Sequence, residues 1–376
     1  MAVYTLMHKD IPVAELDCLR HTLTINEITT IYDEAHLPCK QRRNNFSDDL
    51  QEWIDGRRIP ASRQQLDAAL DILRVRGFFD LVVESLGLSL TDHYWIRPCN
   101  SELTWKDVNF FTNEFSEDMG KVLFGEDIPE KEEINLMSPD NTSDGWLKKR
   151  WKVINGKRCL IKASTFPYQQ EAYNEVWAYT LAEFLGINHT PYTIVTDNSQ
   201  PYCICETFAS KTLEFVSANR IMLNYGKFTG VLSYDMLCKS YEVLGIPNFK
   251  AELEKMLVLD YLIYNEDRHL NNFGVLRNSE TLEWSGICPI FDSGTSMWYN
   301  RPIRSSWVAK CKPFANTHEK QIKLVIDFSW LPELQQFAIF EMFNKVYSQY
   351  GVISENRIRE LWDGFRQRVG QLSSFL

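Results

Sequence analysis

The run Asn265-Glu266-Asp267-Arg268-His269-Leu270-Asn271-Asn272-Phe273 holds an acid and an amide five positions apart. Moving a phosphoryl group onto a hydroxyl needs a carboxylate that orients the nucleophile and accepts its proton. It also needs an oxygen ligand for the metal that bridges the nucleotide phosphates. Asp267 and Asn272 have the spacing to supply both from one loop. A second metal ligand is expected on the next hairpin, and Asp292 in Ile290-Phe291-Asp292-Ser293-Gly294 offers a carboxylate there. Magnesium takes one or two carboxylates plus phosphate oxygens, which fits Asp292 with Asn272. Alone, Asp267 to Asn272 is also an ordinary polar turn after a helix. The acid twenty residues on, behind an apolar strand, favours the chemical reading.

Upstream parts should then exist. Lys162 stands in the otherwise apolar strand Cys159-Leu160-Ile161-Lys162. It either grips the α- and β-phosphates or snorkels from a sheet edge. Glu175, on the helix that follows, is either its ion-pair partner or a surface glutamate. The segment Thr142-Ser143-Asp144-Gly145-Trp146-Leu147-Lys148-Lys149 precedes that strand. It is either a phosphate-covering loop or a plain surface hairpin, and it carries neither a GxGxxG pattern nor a Walker lysine.

The elements that must position these residues read as follows. Short strands are expected at Ala2–Met7, Val13–Leu16 and Thr22–Ile25, and capping-box spacing starts helices at Ser62 with Gln65 and at Thr104 with Asp107, the latter running to about Phe115. The acidic, irregular stretch from Ser116 to Asp144 marks a junction. Beyond it, Trp146–Ile154 and Arg158–Ala163 flank Asn155-Gly156, a strong hairpin signal. A helix over Gln170 to Leu185, stopped by Gly186, precedes strands at Tyr192–Val195 and Tyr202–Phe208, and short strands are expected at Phe273–Leu276 and Gly286–Ile290. From Ser233 the chain is mainly helical, including Phe249–Tyr264, Leu331–Tyr347 and Ser354–Leu372. This order predicts an α+β, two-lobed, protein-kinase-like fold: a subdomain over 1–135, a β-rich nucleotide-binding lobe over 136–230 and a helical lobe over 231–376.

The 376 residues are 44% hydrophobic and 24% charged, which is globular composition. A net charge of −10 argues against a surface built to grip nucleic acid or an anionic membrane. No apolar run of about 18 residues predicts a bilayer span. His8, Lys9 and Asp10 interrupt the N-terminus before any signal-peptide core forms. Nine scattered cysteines suggest reduced thiols and a cytoplasmic location.

Together these segments resemble the HipA-like kinases, serine/threonine kinase toxins of bacterial type II toxin–antitoxin modules. Asn174-Glu175 leading to Leu185-Gly186 is similar to that family's Asn-Glu helix, Glu206-Thr207-Phe208 to its hinge, Asp267-x-His269-x-x-Asn272-Phe273 to its catalytic loop and Phe291-Asp292 to its metal-binding pair. Trp53 to Arg63 and Ser89 to Trp95 look like a Gram-positive-type variant of its N-terminal region. The resemblance implies ATP and Mg²⁺ as cofactors, Asp267 as catalytic base, and Asn272 and Asp292 as metal ligands. It places Asp144, Gly145, Lys149, Lys162, Glu175, Glu206, Thr207, Phe208, His269, Asn272, Phe291 and Asp292 around the nucleotide. It further implies inhibitory autophosphorylation at Thr142 or Ser143, a protein substrate bearing Ser or Thr, and a small helix-turn-helix antitoxin as partner; the acidic charge balance adds the expectation of no direct contact to nucleic acid or membrane. Kinases of lipids or small molecules use related loops, and a catalytically inactive kinase-fold binding module is the alternative outside enzymes.

Overall fold

The computed structural model describes residues 2–19, 23–60, 78–126, 135–143, 145, 147–197, 200–226, 233–304, 309–334 and 336–375. The helix expected from Ser62 lies outside them, as does the acidic stretch just after Glu126. The chain divides into two compact units. One comprises Met1–Leu160, Ala209–Phe215 and Arg277–Glu283; the other comprises Ile161–Phe208, Val216–Leu276 and Trp284–Leu376. These units cut across the three segments expected from the sequence.

The first unit is built on an antiparallel sheet of β1 (Ala2–His8), β2 (Ile11–Cys18), β3 (Ile25–Ile31) and β4 (Tyr94–Pro98), in the order β3-β2-β1-β4. Strand β3 starts at Ile25, where the sequence reading had its strand end. Leu6, Val13, Ala14 and Leu16 enter a core completed by Leu50 and Ile54 of helix α1 (Phe46–Asp55). Helix α2 spans Phe78–Glu84, and α3 covers only Trp105–Val108. The capping box of Thr104 and Asp107 forms, yet the helix ends far short of Phe115. Asn109 turns out of it with extended backbone, and its Oδ1 accepts from the Thr112 amide and hydroxyl at 2.9 Å each. A short polar side chain that bonds nearby backbone competes with helix in this way. After α4 (Asp118–Phe124) comes the expected hairpin of β5 (Lys149–Ile154) and β6 (Lys157–Ala163). Its turn residues Asn155 (φ 51°) and Gly156 (φ 78°) both take the left-handed backbone that such a two-residue turn requires.

Glu214 is fully buried in this unit among His8, His93, Tyr94 and Arg277. Its Oε2 accepts from His8 Nε2 (3.1 Å) and His93 Nδ1 (3.3 Å), and Arg277 Nε donates to Oε1 (2.7 Å). Burial opposes the charge, but these bonds and the guanidinium outweigh it and hold the carboxyl well below the usual range. Arg277 supplies the countercharge, so we read this cluster as a neutralised structural network.

In the second unit, α5 (Glu171–Phe184) is followed by the antiparallel pair β7 (Thr193–Asp197) and β8 (Gln200–Glu206). Strand β9 (Leu213–Ser217), which enters this unit at Val216, leads into α6 (Ala218–Tyr225), α7 (Tyr234–Val243) and α8 (Phe249–Leu262). Strands β10 (Gly274–Asn278) and β11 (Trp284–Ile287) then precede α9 (His318–Gln321), α10 (Gln336–Tyr347) and α11 (Glu355–Leu372). Trp177 of α5 meets Phe343 of α10 and Phe365 of α11 edge-on, with centroids 5.0 and 5.3 Å apart. Those contacts bury the apolar stripes of all three helices. Helix α10 starts later than Leu331 because Asp327 folds the preceding residues into a turn: its Oδ1 accepts from Ser329 N (2.8 Å), and Leu331 N donates to Phe328 O (2.9 Å). Among the described residues no helix is long and apolar enough to cross a membrane. No disulfide joins any of the nine cysteines.

Candidate active site

Lys162, near the end of β6, is buried, and its ammonium has two carboxylate partners. Its Nζ donates to Glu175 Oε1 on α5 (2.8 Å) and to Asp292 Oδ1 (2.7 Å). Burial opposes the lysine's charge, but Asp292 and then Glu175 outweigh it and raise its pKa well above the ordinary value. Asp292 has left-handed backbone (φ 57°). This costs an L-residue roughly 1–2 kcal/mol, and it sits at the carboxylate that Lys162 holds. The other oxygen of Glu175, Oε2, accepts from Ser293 N (2.8 Å). Lys162 thus stands between two carboxylates, and Arg268 lies close enough to act on both. Asp292 and the side-chain oxygen of Asn272 are the hard donors that Mg²⁺ prefers.

The catalytic-type loop is organised by a residue to which sequence reasoning gave no role. Arg268 is fully buried and forms a two-pronged pair with Asp260 of α8, Nε to Oδ2 and Nη2 to Oδ1 at 3.0 Å each. Its remaining hydrogens reach Asn272 O (2.9 Å), Phe291 O and Ser293 Oγ (3.0 Å). One guanidinium therefore ties residues 267–272 to residues 291–293. Asn265 Oδ1 accepts from Asp267 N (3.1 Å), and Asn272 Nδ2 donates to Asp267 O (3.1 Å). With its nitrogen so used, the Asn272 side chain has its oxygen to give a cation. A signal existed for this clamp: Asp260 interrupts the apolar run Leu257-Val258-Leu259 of α8, as Lys162 interrupts its strand.

Phe208, just past β8, lies against Phe291 with ring centroids 5.2 Å apart. Glu206 is the last residue of β8 and Thr207 follows it. The His269 amide donates to Asp267 O (2.8 Å), and its ring Nδ1 accepts from Asn271 N (3.3 Å). Lys312, absent from the sequence reading, donates to Asp267 Oδ1 (2.7 Å). Gly145 and Lys149 belong to the first unit. Gly145 has φ 94°, backbone that favours glycine, and a Cβ there would lie 2.6 Å from Lys149 Nζ, the mobile end of that side chain. Asp144 lies outside the described residues. Thr142 closes a short turn, with its hydroxyl donating to Leu88 O (2.7 Å), and Ser143 is buried.

Two buried histidines of the second unit should make it acid-sensitive. His189 donates from Nδ1 to Thr190 O (2.7 Å); burial pushes its pKa down to about 3, with Arg268 and Lys162 adding to the effect. Burial, then Arg368, also holds His318 well below the ordinary value. An unfolded chain protonates histidine near 6.5, so between about 6.5 and 3 the unfolded state binds more protons. Stability is therefore present above about pH 6.5 and is lost as pH falls, by up to about 1.4 kcal/mol per pH unit for each histidine. Urea unfolding at pH 7, 5.5 and 4.5 should show this fall, and His189→Gln should flatten it. An unchanged slope in His189→Gln would remove the assignment.

No curated protein matches the chain in sequence. Among solved structures, a HipA from Shewanella oneidensis MR-1, determined with HipB and its operator DNA, is similar over 97% of this chain and 95% of that one, at 14% identity and TM-score 0.56. The proinflammatory kinase CtkA of Helicobacter pylori is similar over 58% of this chain and 89% of its own, at 16% identity and TM-score 0.44. The first likeness spans nearly the whole chain and shows the expected fold, a kinase-like architecture with β-rich and helical parts. The family model described as HipA-like C-terminal domain matches residues 137–370, well over half of the sequence. With the site residues of that stretch joined as described above, the chain belongs to the HipA-like family.

Proposed function

We propose that this protein transfers a phosphoryl group from ATP to a serine or threonine hydroxyl of a protein substrate. The observation that carries the reading is one connected network, in which Lys162 bridges Glu175 and Asp292 and Arg268 ties the Asp292 hairpin to the loop of Asp267 and Asn272. Lys162 would hold the α- and β-phosphates, with Glu175 fixing its direction. Asn272 and Asp292 would hold Mg²⁺, which when bound neutralises charge across the transferring phosphates. Phe208 and Phe291 offer an apolar wall for the adenine beside Glu206 and Thr207, and His269 shapes the loop below it. Gly145, Lys149 and Asp144 remain candidates for covering the phosphates, and Thr142 or Ser143 for autophosphorylation. Asp267 would accept the hydroxyl proton.

A small helix-turn-helix antitoxin is the partner we infer, in keeping with the Shewanella protein solved with HipB. Because that complex also holds operator DNA, the exclusion of nucleic acid drawn from net charge is not kept. A cytoplasmic location fits the unbridged thiols.

The test is transfer of label from γ-labelled ATP to proteins of a cell extract, with and without Mg²⁺. Lys162→Arg sharpens it. That variant keeps the buried charge beside Glu175 and Asp292, so its melting temperature should stay within a few degrees. A planar guanidinium does not replace a compact ammonium on phosphates, and transfer should fall about 100-fold. Wild-type turnover by Lys162→Arg would remove Lys162 from the site.

A further inference from the structure

Asp267 carries a cation that neither the loop spacing nor the network around Lys162 calls for. Lys312 Nζ lies 2.7 Å from Asp267 Oδ1, and the two side chains are 55% and 32% exposed. An ion pair this open to water adds little to stability, about 0–1 kcal/mol. Its backbone is nevertheless firmly built. Gln321 of α9, nearly fully buried, donates from Nε2 to Lys312 O (2.9 Å). Its Oε1 accepts from the amides of Phe314 (3.0 Å) and Ala315 (3.2 Å). Lys310 pairs with Thr317 in a β-bridge, Thr317 caps α9, and Cys311 Sγ donates to Ala315 O (3.4 Å). One buried amide and a bridge thus fix residues 310–317 into a turn that presents Lys312 to the carboxylate. A turn held from within, delivering an exposed ammonium to a proton acceptor, is a poor stabilising device and a good chemical one.

We propose that Lys312 is a catalytic residue of the transfer, the cation that steadies the phosphoryl group at the carboxylate which receives the proton. The inference rests on the kinase reading above. In the step, the acceptor oxygen bonds to the γ-phosphorus, and the bond from that phosphorus to the bridging oxygen breaks, its electron pair leaving on ADP. The hydroxyl proton passes to Asp267. Lys312 keeps its own proton throughout. Before the substrates meet, it occupies Asp267; as the hydroxyl takes its place on that carboxylate, the ammonium shifts by a side-chain rotation to the equatorial phosphoryl oxygens, where charge builds. Asn271, two residues after His269 in the same loop, supplies no charge for this task, and among the described residues Lys312 is the cation paired with Asp267.

The experiment compares wild type with Lys312→Met and Lys312→Arg in full-length protein. It measures the initial rate of label transfer from γ-labelled ATP to extract proteins across a range of ATP concentrations. Lys312→Met should keep the melting temperature and the KM for ATP while kcat drops roughly 10- to 100-fold, the scale of losing one preorganised charge partner of the transition state. Lys312→Arg should recover at least part of that loss. A purely structural lysine would move neither kcat at constant KM nor the rescue. Wild-type kcat in Lys312→Met, or a loss appearing only in KM, overturns the proposal while leaving the kinase reading intact. A wild type that transfers no label to any protein, with nucleotide bound, brings down both.

Discussion

Asp267→Asn should fold as the wild type does and transfer phosphate about 10²- to 10⁴-fold more slowly, the contribution of a positioned general base. The change is isosteric, and the bonds that shape the loop survive it. Asn265 and Asn272 bond the amide and carbonyl of Asp267, not its carboxylate, and Arg268 bonds the carbonyl of Asn272. The variant gives up its exposed ion pair with Lys312, at a cost of about 0–1 kcal/mol. Nucleotide affinity should stay unchanged, because the Lys162 network is untouched. Asp292→Ala is the informative companion: it removes both the proposed metal donor and a partner of Lys162. It should abolish transfer and weaken Mg²⁺-dependent ATP binding as well. Parallel calorimetric titrations and label-transfer rates separate the two roles. Near-wild-type transfer by Asp267→Asn would take the base assignment away.

Arg268→Leu should be the most damaging single change in the second unit. It leaves Asp260, about 1% exposed, without its countercharge, and breaking a buried pair from one side costs about 3–5 kcal/mol. It also unties residues 291–293 from the loop of Asp267 and Asn272. Activity should therefore fall further than the folded fraction does, even at low temperature where the variant remains native. Removing both charges at once, as Asp260→Leu/Arg268→Leu, should restore part of the stability, since no lone charge stays buried, but none of the activity. Urea unfolding of the three variants, set beside transfer rates at 10 °C and 25 °C, gives the comparison. Stability of Arg268→Leu within about 1 kcal/mol of wild type would show that the clamp does not hold the site.

How much of this was readable depended on how far apart the partners lie in sequence. Asp267, Asn272 and Asp292 announce themselves by local spacing, and Lys162 by standing in an apolar strand. Asp260 breaks an apolar helix in the same way, so the clamp was legible in kind and was passed over. Lys312 had no such mark, because a lysine in a polar loop is unremarkable until the fold brings it 45 positions back to Asp267. The pair of His8 and Glu214, separated by 206 positions, was equally invisible. Helix lengths failed for a different reason. Thr104 and Asp107 truly start a helix, but Asn109 offers the backbone a competing turn, and periodicity alone does not weigh that competition. The strands and hairpin around Asn155-Gly156 fared better, since turn chemistry there admits few alternatives.

The chain changes unit five times, inside β6, after Phe208, inside β9, inside β10 and after Glu283. The stretch that carries the family signature, residues 137–370, is consequently not a piece of protein that can be cut out. Trp151 and Ala209 fall within it, yet they share a core with Met7, Leu88 and Trp95 outside it. A gene fragment starting at residue 137 would encode all the candidate site residues and none of those three apolar partners. It would emerge as a sticky, protease-prone polypeptide. A shortened protein meant to keep the candidate site therefore has to keep Met7, Leu88 and Trp95 as well.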